Sequence, residues 1–349
     1  MTDKADQLRT LATERILIKD GAYGTQVQEF KLDEAGFRGG RAFMRDQKGN
    51  NDLLNLTRPE ITSDICNRFV EAGADILATN TFNANRISQS DYGTEDMTAE
   101  INLAAAKLTR EAADTASAKD GKPRFVAGAI GPTNKTLSLS PDVNDPGFRE
   151  VDFDGVKQIY VEQIAALVDG GVDFILIETV FDTLNAKSAI MAALEEGERR
   201  GRVLPLMLSM TITDMAGRNL SGHSIEAFWA AVRHAKPLTV GLNCSFGADR
   251  LRPHMAALSA IADTLVMGYP NAGLPNELGE YDECADKTRE KVGKWVEQGL
   301  VNIVGGCCGT TPDHIAALAD LVNGKPPRAI PDPIDRTFLA GIEPMTLAA

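Results

Sequence analysis

The chain has 349 residues, of which 43% are hydrophobic and 24% charged, a composition typical of a folded soluble protein. Its formal net charge of −13 argues against nucleic acid or an anionic membrane as the partner, because both also carry negative charge. No apolar run approaches the ~20 residues of a membrane-spanning helix, and the polar N-terminus does not resemble a signal peptide. Five cysteines without a regular framework spacing indicate a reducing, cytoplasmic location.

Apolar strands and helices alternate along most of the chain. The strands are predicted at 16–19, 75–79, 125–130, 173–178, 204–210, 238–243, 264–267 and 300–304. The helices between them are predicted at 59–72, 97–118, 154–169, 183–200, 224–235, 248–262 and 282–298, and residues 30–57 resemble a loop. The strands are almost continuously apolar, as they must be when both faces of a sheet are covered. Eight alternations favour a single-domain (β/α)8 TIM barrel over residues 1–324, followed by an extended, Pro-rich tail over 325–349.

The stretch from Val304 to Pro312 carries the strongest chemical signal. An apolar strand ends at two glycines, the adjacent Cys307 and Cys308 follow, and a Thr-Pro pair then begins a helix. Cys244 has the same position at the end of the strand 238–243. Three thiolates would leave a tetrahedral zinc ion with one open position, which is typical of a catalytic site. The alternatives are a strained disulfide between adjacent cysteines or inert buried thiols.

Other polar groups also follow predicted strands, where a TIM barrel places its active site. The candidate substrate-binding residues are Asp20, Gly21, Glu178 and Asn243. Asp20 and Glu178 could hold an ammonium group, although Glu178 could equally bond to a neighbouring loop and Asp-Gly also forms turns. Asn243 could orient a ligand or satisfy a buried backbone group. The histidines are interpreted as helical surface residues, with His234 in a helix and His314 in the first turn of the last helix.

The predicted metal ligands restrict the chemistry. Zinc bound by three thiolates is a poor activator of water, because the ligands already donate much negative charge. It is better suited to binding a fourth thiol and keeping it deprotonated. The site therefore favours alkyl transfer to a thiol over hydrolysis.

Four motifs together resemble the homocysteine S-methyltransferase family, with particular similarity to the homocysteine-binding module of cobalamin-dependent methionine synthase. They are DGAYGT at 20–25, ETVFD at 178–182, GLNC at 241–244 and GGCCGTTP at 305–312. The resemblance implies a (β/α)8 barrel with Cys244, Cys307 and Cys308 on zinc. It further implies that homocysteine is the fourth ligand, and that its sulfur attacks the methyl group of methylcobalamin to give methionine.

The chain departs from that enzyme in one respect. No histidine has an Asp two residues before it, so the cobalamin-loop pattern Asp-x-His-x-x-Gly is absent. The sequence also stops soon after residues 341–344, where the connection to further modules would begin. We therefore expect methylcobalamin to be carried by a separate protein or module, with the loops 30–57 and 131–153 as candidate docking surfaces.

Two other functions stay open at this point. A relative could take its methyl group from betaine or S-methylmethionine, and a quaternary ammonium group favours an aromatic cage. Aromatic residues make up only 6% of the chain, and both Trp229 and Trp295 fall in predicted helices. Tyr23, Phe82 and Tyr269 could still reach the mouth of the barrel. The other possibility is a non-catalytic zinc-binding scaffold.

Overall fold

A computed structural model describes residues 4–333 and 337–347, and in it eight parallel strands form one sheet. The strands are β1 Leu17–Ile18, β2 Ile76–Ala78, β3 Phe125–Ile130, β4 Phe174–Val180, β5 Leu206–Met210, β6 Thr239–Asn243, β7 Leu265–Tyr269 and β8 Ile303–Val304. They pair in the order β1-β8-β7-β6-β5-β4-β3-β2. A parallel bridge between Lys19 and Ile76 closes the circle, so the predicted (β/α)8 barrel is confirmed.

Helices surround this barrel. They are α1 Lys4–Glu14, α2 Tyr23–Glu29, α3 Glu34–Arg38, α4 Leu54–Thr57, α5 Pro59–Glu71, α6 Arg86–Gln89, α7 Thr98–Asp120, α8 Phe153–Asp169, α9 Thr183–Arg199, α10 Ile225–Val232, α11 Ala248–Ile261, α12 Ala285–Glu297 and α13 Pro312–Val322. Helix α1 packs Leu8 and Ala12 against the inner core of the barrel. Within the described ranges, no helix has both the length and the apolarity that crossing a bilayer requires.

The barrel interior is a packed core. The strand residues that point into this core show which residues at the mouth also point inward. Leu17 belongs to this inner core, together with Phe174, Leu176, Leu265 and Met267. Side chains alternate between the two faces of a strand, so the residues two positions further on also point inward. Those residues are Lys19, Glu178 and Tyr269. The sequence pattern therefore places three polar groups inside the carboxyl end of the barrel.

The prediction of a loop over 30–57 was wrong in detail, because two short helices lie there. Asp33 is the N-cap of helix α3, and its side chain accepts a hydrogen bond from Gly36 N at 2.8 Å. The C-cap after Arg38 is Gly39, which has a left-handed φ of 55°. Both capping signals are present in the sequence, but five residues are too few to give a helical periodicity.

The residues after 324 include regular structure that the description of an extended tail did not anticipate. Strands β9 Phe338–Ala340 and β10 Pro344–Thr346 form an antiparallel hairpin that packs against α10. Upstream of it, the buried Arg328 donates hydrogen bonds to the carbonyl oxygens of Ser259, Ala262 and Thr264. Residues 334–336 and 348–349 of the predicted tail lie outside the described residues.

Replacing Arg328 by Met should lower the free energy of unfolding by about 2–4 kcal/mol, because buried carbonyl groups would lose a charged donor. Burial lowers the pKa of Arg328 to about 10, so the guanidinium is still charged at neutral pH. Chemical denaturation measures the effect. Lys325→Met, at an exposed position in the same segment, should change the stability by less than about 0.5 kcal/mol. Equal stabilities of the two variants would contradict an anchoring role for Arg328.

Candidate functional site

Three thiols from two strand ends converge at the mouth of the barrel. The sulfur atoms of Cys244, Cys307 and Cys308 all lie within 4.8 Å of one another, and those of Cys244 and Cys308 are 3.9 Å apart. Cys244 follows β6 and the other two follow β8. All three side chains are partly exposed and none is in a disulfide. The predicted convergence of the three cysteines is therefore present in the fold.

The backbone beside these thiols has an unusual conformation that aims them. Thr179, Cys244 and Ser245 have φ values of 58°, 64° and 61°, which non-glycine residues rarely adopt. The Asn243 side chain stabilises this region. It accepts a hydrogen bond from Thr179 N at 3.1 Å, donates one to Thr179 Oγ1 at 2.8 Å, and directs Nδ2 to Cys307 Sγ at 3.8 Å. Backbone strain of this kind concentrates at functional sites.

The loop that carries the cysteine pair is fixed from two sides. Cys307 N donates to Pro270 O at 2.9 Å, and Thr310 Oγ1 donates to Cys307 O at 2.6 Å. A Cβ atom on Gly306 would collide with the Thr310 side chain, so this position requires glycine. The predicted helix start is confirmed, because α13 begins at Pro312 and Thr311 caps it.

The three thiols share their protons unequally. Hydrogen bonds from Cys244 and Cys307 lower the pKa of Cys308, and a hydrogen bond from Tyr281 lowers it further. The pKa of Cys307 is well above its usual value, because its thiol is hydrogen-bonded to the other two cysteines and is largely removed from water. The hydrogen bond between Cys244 and Cys307 acts to lower the pKa of Cys244. The hydrogen bond between Cys244 and Cys308, together with burial of Cys244, outweighs that effect and raises the pKa of Cys244 to about 11. The cluster therefore holds about one negative charge at neutral pH.

The geometry of the thiols fits a tetrahedral metal ion. A zinc ion with Zn–S bonds of about 2.3 Å places its sulfur ligands about 3.8 Å apart. The distance between Cys244 Sγ and Cys308 Sγ already matches this spacing. Three thiols at one corner of an open mouth would leave a fourth position on the cavity side. The cluster can therefore hold a thiophilic metal ion together with one external ligand.

A cavity of about 230 Å³ opens next to the thiols. Its wall includes all three cysteines, Gly21, Glu178 and Thr179, and it also includes the aromatic side chains of Tyr23, Phe82 and Tyr269. The volume lies below the ~300–1,000 Å³ of sites for drug-sized ligands, which suits a small metabolite. A compact ligand in this space would have its ends near the thiols and near charged groups.

Four side chains form a charged cluster at the floor of this cavity. Lys19 Nζ lies 2.9 Å from Asp20 Oδ1 and 4.6 Å from the centroid of the Tyr269 ring. The Tyr269 hydroxyl donates to Glu178 Oε2 at 3.0 Å. Burial acts to lower the pKa of Lys19, but the charges of Asp20 and Glu178 outweigh it and raise the pKa, so Lys19 is protonated. Lys19 was not among the residues predicted for the site.

A further carboxyl group in the cavity wall was also missed. Asp52 is 4% exposed, and its Oδ1 accepts a hydrogen bond from Asn83 N at 3.0 Å. Burial raises the pKa of Asp52 to about 7, so this group is partly protonated at neutral pH. No motif in the sequence marks Asp52, which lies in the short 3-10 helix Asn51–Leu53 before α4.

The predicted substrate-binding residues occupy different positions relative to the cavity. Glu178 and Gly21 line it, and a Cβ atom on Gly21 would come within 2.8 Å of the Phe69 ring. Asp20 is fully buried, and its second oxygen accepts a hydrogen bond from Ala78 N at 2.7 Å. Asn243 is buried behind the thiols. The structure therefore brings Glu178 and Gly21 to the cavity and places the other two in its supporting layer.

The interpretation of the histidines as surface residues was wrong for His314. It is 6% exposed, and its Nδ1 accepts a hydrogen bond from Thr311 N at 3.2 Å. Its Nε2 is then free to donate to Glu283 O, 2.8 Å away. His314 thus completes a capping box and joins α13 to the loop after β7, a role that Glu or Gln more often has.

Comparisons with known proteins agree with the fold. Solved structures with a similar fold include three forms of the homocysteine methyltransferase MmuM from Escherichia coli. The metallated and oxidised forms each align with a TM-score of 0.68 and 20% identity over 89% of this chain and 98% of that chain. The apo form aligns with a TM-score of 0.62 and 19% identity over 90% and 98%. At such identities the likeness extends to the fold alone.

The sequence match to a family is more direct. The family described as homocysteine S-methyltransferase matches residues 17–322, which include every strand of the barrel and the three clustered cysteines. This range covers most of the chain. The protein therefore belongs to the homocysteine S-methyltransferase family.

Proposed function

We propose that this protein is a zinc-dependent homocysteine S-methyltransferase that takes its methyl group from methylcobalamin carried by a separate protein or module. The convergence of the three thiols beside a small cavity is the observation that carries the proposal. Cys244, Cys307 and Cys308 would hold the zinc. The metal would supply a positive charge that keeps a substrate thiol deprotonated at neutral pH.

The cavity wall supports an amino-acid thiol as the substrate. Glu178 is half-buried, is oriented by the Tyr269 hydroxyl and points into the space beside the thiols. A carboxylate in this position can accept hydrogen bonds from an ammonium group. The thiol end of the same ligand would lie at the cysteine cluster. Homocysteine has both groups, and the family assignment favours it.

The surface around the mouth supports a donor that is brought by another protein. Large apolar side chains are exposed on four of the loops that follow the strands, and these loops surround the site. Examples are Met44, Val143, Met215 and Leu278, whose exposed fractions are 101%, 93%, 75% and 83%. Exposed apolar side chains on several loops at this end of the barrel are consistent with an interaction surface there. It includes the predicted docking loops 30–57 and 131–153.

A small cationic donor such as betaine or S-methylmethionine is the alternative, since Tyr23, Phe82 and Tyr269 do line the cavity. One ring face of Tyr269, however, already contacts the Lys19 ammonium group. That face is not available to a second cation. The three aromatic residues in the cavity wall therefore offer a cationic methyl donor fewer free ring faces than their number suggests.

Replacing Cys307 by Ser should weaken zinc binding at least about 100-fold. Loss of a residue that only orients a metal ligand costs about 10–100-fold in affinity, and loss of a ligand itself should cost at least as much. The barrel should stay folded, because its inner core does not include the metal. Metal analysis after dialysis against a chelator, together with thermal unfolding, measures both effects. Cys284→Ser is the matched control, because Cys284 is exposed and lies outside the cluster. Full zinc content in Cys307→Ser would contradict the assignment of the ligands.

Zinc affinity should rise with pH between about 6 and 8. Cys244 and Cys307 have raised pKa values and must each lose a proton on binding, whereas Cys308 is already a thiolate. About two protons should leave per zinc ion, so that the affinity rises up to about 100-fold per pH unit. Competition with a chromogenic chelator at several pH values measures this slope. An affinity that does not depend on pH would mean that the protonated thiols are not ligands.

The zinc-loaded protein should methylate homocysteine slowly with free methylcobalamin, and its rate should rise with concentration without saturating. The reacting atoms must approach within about 3–3.5 Å in line, and no carrier then positions the donor. A separate protein loaded with methylcobalamin should increase the rate strongly by docking at the mouth. Methionine formation, measured by chromatography, gives the rates.

The same assay separates the alternatives. Fast turnover with betaine or S-methylmethionine in the absence of any corrinoid would contradict the proposed donor. Absence of methyl transfer from all three donors and from the loaded carrier would favour the non-catalytic zinc-binding scaffold.

A further inference from the structure

We propose that Lys19 is a positioning residue that gives the cavity its preference for an amino-acid thiol. Its ammonium group, shared between Asp20 and the face of Tyr269, holds the Tyr269 hydroxyl on Glu178 and cancels the charge of Asp20. Glu178 is then the carboxylate that receives the substrate ammonium group. This inference rests on the proposed function, because it assigns a role within the same cavity.

Lys19 has an unusual position for a lysine. It is 3% exposed although lysine is rarely buried, and it is the one cationic side chain in the cavity wall among the residues that the structure describes. A buried ammonium group is costly unless it is paired. Lys19 is ion-paired with Asp20 and lies over one face of the Tyr269 ring. Both contacts point to a fixed side chain and not to a mobile surface lysine.

The carboxylates of Asp20 and Glu178 differ in how many of their oxygens are already hydrogen-bonded. Asp20 accepts hydrogen bonds from Lys19 Nζ and from Ala78 N, so each of its oxygens already has a donor. It is also fully buried. Glu178 accepts a hydrogen bond at Oε2 from Tyr269 and is partly exposed to the cavity. Of this pair of carboxylates, only Glu178 has an oxygen available to a ligand.

Tyr269 connects Lys19 to Glu178. The cation lies over the ring while the hydroxyl of the same ring holds the carboxylate. A cation over an aromatic face contributes about 0.5–2 kcal/mol, with the larger values at desolvated sites such as this one. Removing the cation should therefore loosen the ring and with it the orientation of Glu178. Lys19 would act on the substrate through Tyr269.

The test compares two ligands that differ in the amino group. L-Homocysteine and 4-mercaptobutanoate share the thiol and the carboxylate, and calorimetry with the zinc-loaded protein gives the ratio of their dissociation constants. Lys19→Met should lower this preference for the amino group about tenfold, with zinc content unchanged. Tyr269→Phe, which keeps the ring and removes the hydroxyl, should have a similar effect. The double variant should lose no more than either single variant, because both act through one contact.

Matched controls separate this role from a general loss of stability. Lys157→Met removes an ion pair with Glu195 on the outer helices and should leave the preference unchanged. If Lys19→Met does not fold, Lys19→Met combined with Asp20→Asn replaces the buried ion pair by neutral groups of similar shape, a change that is often tolerated. This double variant should show the same loss of preference.

Several outcomes would overturn the inference. An unchanged preference in folded, zinc-loaded Lys19→Met would show that Lys19 is only structural. A higher preference would show that Asp20, once freed, binds the ammonium group itself. Lys19→Met could instead weaken the binding of both L-homocysteine and 4-mercaptobutanoate and leave the binding of 3-aminopropanethiol, which lacks the carboxylate, unchanged. Lys19 would then bind the substrate carboxylate directly. Wild-type protein that binds neither thiol would overturn the proposed function and this inference together.

Discussion

The side chain of Asn243 is the contact on which the geometry of the strand ends depends. Its Oδ1 accepts hydrogen bonds from Ser209 Oγ at 2.7 Å and from Thr179 N at 3.1 Å, and its Nδ2 reaches Thr179 Oγ1 and Cys307 Sγ. One amide thus joins β4, β5 and β6 to the loop after β8. It is 1% exposed, and a buried polar network whose members are all satisfied specifies a single arrangement.

That arrangement stabilises a backbone that would otherwise be unfavourable. Each non-glycine residue with a left-handed φ costs about 1–3 kcal/mol, and Thr179, Cys244 and Ser245 all have this conformation. The consecutive pair after β6 turns the chain sharply, so that the Cys244 sulfur faces Cys308 across the end of β7. The strained backbone therefore directs the Cys244 thiol, and the Asn243 hydrogen-bond network stabilises the backbone in that conformation.

The sequence predicted the barrel and the three thiols because their signals are local. Continuous apolar runs mark strands, and a cysteine directly after such a run must lie at the mouth. It did not reveal Lys19, because a strand that is apolar on both faces conceals which residues point inward. His314 was misjudged for a related reason, since a residue in the first turn of a helix is exposed only if no loop covers it. The loop after β7 provides that cover at Glu283.

The direction of Lys19 also has a consequence for the charge of the mouth. The thiols and Glu178 make this region negative, within a chain whose net charge is already −13. A shift of one residue in β1 would turn Ile18 into the barrel and Lys19 towards the helices. Asp20 would then lose its cation, and the cavity would keep only acidic groups in its wall. The register of the shortest strands, β1 on β8, therefore sets both the closure of the barrel and the balance of charge at its site.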